Sequence, residues 1–209
     1  MVACWVAIVL AASPVAAADY RVDGNRLTVS GAFYSDREFG RFAAYVRENP
    51  AVDTIVMKDF SGGMHMTGFL NFTRFIRDRK LATEVDGPCM SACALAFLGG
   101  VRRGLAPGAD PKTSVVAFHG VYDMAGKPYE PFEGTFVSAL RRYTGGRMSA
   151  AVARRAFSLP QNGLLMFFDP KRGKRRDGLS VVICEDLRRT ETCAAVRGID
   201  ALSAGVFAR

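Results

Sequence analysis

A serine and a histidine each stand beside an apolar run of this chain. Ser91 lies within the segment DGPCMSACALAFLGG at 86–100, and His119 directly follows the apolar run TSVVAF at 113–118. A serine hydroxyl becomes a nucleophile when a neighbouring base takes its proton. Backbone N–H groups at the start of a helix can stabilise the oxyanion that such an attack creates. These residue types therefore predict acyl-transfer chemistry through Ser91.

Both residues also have a structural interpretation. Serine is a preferred helix N-cap, so Ser91 could do no more than cap a short buried helix. A lone histidine after a strand is more often structural than catalytic, and His65, beside the Gly62-Gly63 pair, is a rival base. Lys58 is a poorer candidate for the base, because it is a strand residue that precedes this glycine turn.

The apolar pattern around these residues predicts alternating strands and helices. Residues 20–31 are typical of a β-hairpin with its turn at Asp23-Gly24. Further strands are expected at 54–58, 82–85, 113–118 and 179–184, and helices at 36–48, 66–79, 132–143 and 149–156. A short buried helix is expected between the turn Asp86-Gly87-Pro88 and Gly99-Gly100. This alternation predicts an α/β fold with a mainly parallel sheet.

Such a fold would bring the candidate residues together. Gly62-Gly63, Ser91 and His119 each come after a predicted buried strand. In open α/β sheets, sites collect beyond the carboxyl ends of the strands. A glycine pair there lets backbone N–H groups approach a ligand closely. We therefore expect one site at this edge of the sheet.

Three segments carry a resemblance to a known family. DFSGG at 59–63, CMSACALAFLGG at 89–100 and VVAFHG at 115–120 resemble the Clp protease proteolytic subunit and the wider Clp/crotonase fold. The sequence is most similar to bacterial predicted periplasmic proteins of that fold with a C-x-S-A-C serine motif. The resemblance runs from about Leu27 to Asp169 and implies a spiral of β-β-α units that assembles into trimers or rings.

The resemblance also implies roles for four residues. Ser91 would be the nucleophile and His119 the general base, while the backbone N–H groups of Gly63 and Ala92 would form an oxyanion hole. No cofactor and no metal are expected.

One member of the expected catalytic set is not found. Clp proteases place a catalytic acid after the long helix, and the corresponding residues here, AVARRAF at 151–157, include no carboxylate. Asp123 and Asp169 are substitutes that the sequence does not place. The resemblance therefore supports a Ser–His dyad.

The N-terminus predicts export. Residues 1–18 carry no charge and end in small residues, with Ala16-x-Ala18 before Asp19. This is typical of a secretory signal peptide, so we expect cleavage after Ala18 and a periplasmic or otherwise exported single domain at 19–209. The alternative is a buried N-terminal helix or a membrane anchor.

The charge of the chain bears on its partners. The formal net charge is +8 over 209 residues, which suits nucleic acid, an anionic membrane surface or an acidic partner. No nucleic-acid-binding motif is found, and export would separate the protein from nucleic acid, so this partner is not expected. The basic run Lys171–Arg176 is predicted to be a solvated loop, with membrane-surface contact as the alternative.

Four cysteines follow the predicted signal peptide: Cys89, Cys93, Cys184 and Cys193. Their spacing does not fit a zinc site. An exported compartment permits disulfides, and Cys184 and Cys193 are expected to pair around a short polar stretch. Cys89 and Cys93 can pair only if Cys89 lies off the helix.

Three functional hypotheses follow. The first is an exported serine hydrolase, a peptidase, which acts on a peptide or protein through Ser91 with His119 as base. The second is a catalytically inactive binding or scaffold protein on the same fold, which the missing acid favours. The third is a crotonase-like acyl-thioester enzyme, against which export argues.

Overall fold

The structure, a computed structural model, describes residues 18–33, 36–62, 66–170 and 180–208. The predicted signal peptide apart from Ala18, the basic run at 171–176, Gly63 and His65 lie outside the described residues. Within the described ranges, no helix is long and apolar enough to cross a membrane.

The described residues form an α/β fold. The strands are β1 Asp19–Asp23, β2 Arg26–Phe33, β3 Thr54–Gly62, β4 Ala82–Asp86, β5 Pro88–Met90, β6 Arg103–Leu105, β7 Val115–Phe118, β8 Leu164–Phe167, β9 Val181–Cys184 and β10 Cys193–Ala195. The α-helices are α1 Asp36–Glu48, α2 Met66–Asp78, α3 Ala92–Phe97, α4 Glu133–Tyr143 and α5 Ala150–Phe157.

The strands form two five-stranded sheets. The first has the order β1-β2-β3-β4-β6, and beyond the antiparallel β1–β2 hairpin its strands pair in parallel. It confirms the predicted hairpin and the predicted parallel sheet. The second has the order β10-β9-β8-β7-β5; β5 and β7 pair in parallel, and the other three pairs are antiparallel.

The chain crosses between the sheets in a regular way. β4 joins the first sheet, β5 joins the second, and α3 follows; β6 and β7 then repeat this order before α4. This succession of two strands and a helix is the β-β-α unit that the sequence resemblance implied. It places the ends of β5 and β7 side by side, each followed at once by a candidate site residue.

Apolar periodicity located the helices well. α1, α2, α4 and α5 lie within one residue of the predicted ranges, because each has an apolar stripe at helical spacing. The Ser149 side chain caps α5 by accepting a hydrogen bond from the Val152 N–H at 3.2 Å. By contrast, every residue of α3 is buried. α3 contacts α2 and β3 in the core.

Several strand predictions need correction. Residues 88–90, expected to belong to a turn and a helix start, form β5; Pro88 is its first residue, where a strand tolerates proline. β3 continues to Gly62 rather than ending near Lys58, because β2 stays paired with it through a register shift between Val29 and Gly31. Strands β6, β8 and β10 were not predicted. β6 and β10 have only three residues each, too few to show periodicity, and β8 is a short apolar run, which periodicity alone does not distinguish from a buried helix segment.

The structure contains the predicted Cys184–Cys193 disulfide and also the Cys89–Cys93 disulfide, which was expected only on a condition. Cys184 and Cys193 bridge the antiparallel neighbours β9 and β10. Cys89 pairs with Cys93 across the β5–α3 junction. Cys89 belongs to β5 and Cys93 to α3, so Cys89 lies off the helix as this pairing requires. Paired cysteines of this kind are typical of an oxidising compartment.

Candidate active site

The parallel pair β5–β7 brings Ser91 and His119 to the same edge of the second sheet. Met90, the last residue of β5, is in register with Ala117, and the Ser91 N–H donates a hydrogen bond to the Ala117 carbonyl at 2.9 Å. His119 follows β7 directly. Ser91 and His119 thus lie at the carboxyl ends of neighbouring strands, while Gly63, the third member of the expected site, lies outside the described residues.

Both residues line one cavity of about 410 Å³. Its walls come from the ends of β3, β5 and β7, from the turn before β8 and from the segment after β9. The lining residues are Phe60, Met90, Ser91, His119, Gln161, Asn162, Leu164, Leu187 and Arg188. The wall is mostly apolar, with two amides and one guanidinium, which is the common character of a pocket for an organic ligand.

Ser91 lies in a strained turn between a strand and a helix. Its φ of 59° and ψ of −119° are unusual for a residue with a side chain. It occupies the N-cap position of α3, but its side chain makes no capping hydrogen bond. The hydroxyl therefore does not serve the helix, against the structural interpretation of this serine. A nucleophilic serine of the α/β-hydrolase type also lies on a strained strand-to-helix turn.

The surrounding structure keeps this turn in place. The Cys89–Cys93 disulfide closes a loop around Ser91, and both cysteines are fully buried. Their sulfur atoms lie 4.0 and 3.7 Å from the Met57 sulfur on β3. The serine backbone is thus fixed on both sides while its residue stays partly exposed to the cavity.

A backbone carbonyl orients His119. Nδ1 of the ring lies 2.6 Å from the Gly120 carbonyl oxygen, which can only accept, so Nδ1 carries the proton and Nε2 is the basic nitrogen. The ring stacks on Tyr122, with centroids 5.3 Å apart and an interplanar angle of 19°. The Tyr122 hydroxyl donates to the carbonyls of Leu159 and Pro160, at 3.0 and 2.9 Å.

The protonation state of His119 suits a base. Burial lowers its pKa below the ordinary 6.5, and the hydrogen bond to Gly120 opposes this only in part. The imidazole is therefore neutral at neutral pH. A neutral ring with a fixed tautomer can take a proton at Nε2.

The described residues include no carboxylate partner for His119. Asp123 instead accepts backbone hydrogen bonds from Ala125 and Lys127, both at 2.9 Å, and so stabilises its own turn. Asp169 is buried, 3% exposed, and lies outside the cavity lining. Within the described residues, Ser91 Oγ makes no hydrogen bond to His119. Catalytic hydrogen bonds are often long before substrate binds.

The other predicted site residues are placed as follows. Ala92 is the first residue of α3, directly after Ser91, whereas its expected oxyanion partner Gly63 and the rival base His65 lie outside the described residues. Lys58 does not line the cavity; it forms an ion pair with Asp86 at 3.0 Å, which raises its pKa and keeps it protonated. No group of metal-ligating side chains occurs within the part of the chain that the structure describes.

Sequence reasoning missed four contributors to the site. Tyr122 gives no signal beyond being an aromatic residue near His119. Gln161 and Asn162 are in a polar turn that joins the cavity only because β8 pairs with β7. The Gly120 carbonyl cannot be recognised from sequence at all, because every residue has one.

No protein-family model matches the chain, and no curated protein matches it. Among solved structures, the chain is similar to the 1510-N membrane-bound stomatin-specific protease, with 11% identity over 87% of this chain and 75% of that chain at a TM-score of 0.43. The complex of this protease with a substrate peptide matches at 13% identity and a TM-score of 0.41, and the alignment spans 64% of each chain. An enoyl-CoA hydratase from Mycobacterium ulcerans matches at 10% identity over 74% of this chain and 72% of that chain, at a TM-score of 0.46.

These likenesses concern the architecture of the chain. With TM-scores below 0.5, no residue of this chain takes its role from them.

Proposed function

We propose that this protein is an exported serine hydrolase, a peptidase, in which Ser91 is the nucleophile and His119 the general base. One observation carries the proposal. A serine whose hydroxyl serves no structural purpose is held in a strained turn, and it shares a cavity with a histidine of fixed tautomer. Strained backbone that is maintained by its surroundings is concentrated at functional sites.

The proposed reaction is acyl transfer through Ser91. Ser91 Oγ attacks the carbonyl carbon of the scissile amide, and His119 Nε2 takes the hydroxyl proton. The imidazolium then gives that proton to the leaving amine, which leaves an ester on Ser91. Water, deprotonated by the same nitrogen, attacks this ester; the acid is released, and the imidazolium returns its proton to Ser91 Oγ.

The oxyanion needs hydrogen-bond donors that are in place before attack. The Ala92 N–H, at the start of α3, is one proposed donor. The Gly63 N–H is the second, on the basis of the sequence resemblance alone. The Gly120 carbonyl takes the orienting part that a carboxylate plays in a triad, but without a full negative charge to stabilise the imidazolium.

The lining of the cavity supports a peptide as the substrate. Phe60 and Leu164 offer apolar surface to a side chain, while the amides of Gln161 and Asn162 can bind a peptide backbone. Leu187, 41% exposed, extends the apolar wall to the rim of the cavity.

Covalent labelling tests the proposal. A fluorophosphonate probe should label the wild-type protein on Ser91, as peptide mass mapping would locate. Ser91→Ala should abolish labelling, and His119→Gln should reduce its rate by about 10²-fold or more, in line with the usual contribution of a general base. Ser138→Ala, at an exposed serine on α4, is the matched control and should label like the wild type.

A binding or scaffold function is the second candidate. The lack of a hydrogen bond between Ser91 and His119, and of a carboxylate for His119 among the described residues, favours it. A folded wild-type protein that takes up no probe between pH 6 and 9 would support this alternative and exclude the hydrolase.

Export is part of the proposal. The two disulfides support an oxidising compartment, and the uncharged residues 1–18 support cleavage after Ala18. The N-terminal sequence of protein from the periplasm should begin at Asp19. Retention of Met1 would contradict cleavage.

A further inference from the structure

A second cavity lies in a groove between α2 and α4. Its volume is about 340 Å³, and it shares no lining residue with the cavity of Ser91. α2 contributes Leu70 and Arg74, and α4 contributes Gly134, Thr135, Ser138, Ala139, Arg142 and Tyr143.

The groove is positively charged. Arg74 and Arg142 line it together, and no carboxylate does. Within the described residues, neither guanidinium forms an ion pair. Asp78, one turn after Arg74, is not within ion-pair distance of it, and Glu133, at the start of α4, is already paired with Arg154 at 3.3 Å.

The α4 wall adds hydroxyl donors and space. Thr135, Ser138 and Arg142 follow at i, i+3 and i+7, so they lie on one face of the helix. At Gly134 a methyl group would meet no atom within 4 Å, so the groove is open at this end. Two guanidiniums and two hydroxyls therefore face a space without competing acid.

The arginine end of the groove is held in position. The Arg142 guanidinium lies over the Tyr143 ring at 5.7 Å, and that of Arg77 lies 5.8 Å from the same ring. Arg77 also donates to the carbonyls of Leu98 at 2.7 Å and Tyr143 at 3.3 Å. These contacts join the ends of α2, α3 and α4 and add a third positive charge behind the groove.

We propose that this groove binds an oxyanion of the phosphate class. Arginine forks bind phosphate oxygens through paired N–H donors, and the Thr135 and Ser138 hydroxyls can donate to further oxygens. The same chemistry is offered by soluble inorganic phosphate and by the headgroup of an anionic phospholipid. The site does not depend on the hydrolase function of Ser91.

Two binding measurements test the site and its source. The purified full chain is titrated with inorganic phosphate by calorimetry, and it is sedimented with phosphatidylcholine vesicles that contain or lack phosphatidylglycerol. Arg74→Gln and Arg142→Gln should each weaken binding by about tenfold or more, as expected for loss of a charge-assisted hydrogen bond. Arg155→Gln removes the same charge from an exposed position on α5 and should change binding by less than about twofold.

The outcomes are distinct. The site is supported if Arg74→Gln and Arg142→Gln weaken the binding of phosphate, of phosphatidylglycerol vesicles or of both. The ligand whose binding is weakened identifies the source of the oxyanion. Equal weakening by Arg155→Gln would mean attraction by net charge alone and would overturn the proposal. It is also overturned if neither ligand binds the wild type, or if variants with wild-type melting temperatures bind as the wild type does.

Discussion

At the scale of single residues, the structure acts on the backbone of Ser91 but on the ring of His119. Ser91 has a strained backbone, because holding a non-glycine residue at a φ of 59° and a ψ of −119° costs about 1–3 kcal/mol. For His119, the hydrogen bond to Gly120 selects the tautomer of the ring, and burial lowers its pKa. None of these features of Ser91 and His119 requires a carboxylate.

The lowered pKa of His119 predicts the pH dependence of labelling. The base must be neutral, so the labelling rate of Ser91 should rise with pH and reach half of its plateau below pH 6.5, the ordinary pKa of histidine. Removing the stacked ring by Tyr122→Ala should let water reach the imidazole and move this midpoint upward. Tyr129→Ala, at an exposed tyrosine, should leave the midpoint unchanged.

The lowered pKa of His119 also predicts how the stability of the fold depends on pH. Because folding lowers the pKa of His119, the unfolded chain binds its proton more readily. The contribution of His119 to the free energy of unfolding is therefore fully present above its unfolded-state pKa, and it is lost as the pH falls through its folded-state pKa. The labelling rate contradicts this prediction if its midpoint in the wild-type protein lies at or above pH 6.5. That result would show that His119 is not the base, or that it is not desolvated in solution.

At the scale of elements, the junction of β5, Ser91 and α3 is the feature that shapes the site. β5 is held by β7, α3 is buried in the core, and the Cys89–Cys93 disulfide joins the two elements across Ser91. The turn cannot relax without moving one of them. The strain at Ser91 is therefore balanced by long-range packing.

The two disulfides should differ in their effect on the site. In the chain-entropy model, replacing both Cys89 and Cys93 by alanine should cost about 2 kcal/mol of unfolding free energy, and replacing Cys184 and Cys193 about 2–3 kcal/mol. Only the first pair brackets Ser91, so only its loss should slow labelling of the folded protein. Denaturant unfolding and labelling rates measure the two effects. Equal labelling rates in the two variants would show that the Cys89–Cys93 disulfide does not position the nucleophile.

At the scale of the whole molecule, Arg103 connects distant parts of the chain. It is 4% exposed and donates to the carbonyls of Val206 and Gly205, both at 2.8 Å, and to those of Leu98 and Gly100. Burial, and to a smaller extent nearby arginines, lower its pKa to about 10, so it stays charged at neutral pH. It thus fastens the C-terminal segment to the end of α3.

Loss of this cation should destabilise the fold. Arg103→Met leaves several buried carbonyls without a donor, and we expect a loss of about 2–5 kcal/mol in unfolding free energy. Arg102→Met, at the exposed neighbouring position, should change it by less than about 0.5 kcal/mol. Urea denaturation measures both. Similar stabilities for the two variants would show that the carbonyls of Val206 and Gly205 find other donors or water.

The sequence by itself determined the features that depend on local pattern. The amphipathic helices α1, α2, α4 and α5 follow from apolar residues at helical spacing, and the β1–β2 hairpin follows from a glycine turn between alternating strands. The Cys184–Cys193 pair follows from the short polar stretch between the two cysteines. Ser91 was found because it is a hydroxyl at the start of an apolar run, and His119 because it directly follows one.

Tertiary structure alone decided how these features fit together. The strands β5, β6 and β10 have three residues each, too few to show periodicity, and each is paired with a neighbouring strand. The left-handed backbone of Ser91 and the tautomer of His119 arise from the β5–β7 register, the buried α3 and one carbonyl oxygen. The groove between α2 and α4 likewise joins Arg74 and Arg142, residues far apart in sequence. Such contacts depend on which distant surfaces meet, and local residue patterns do not encode this.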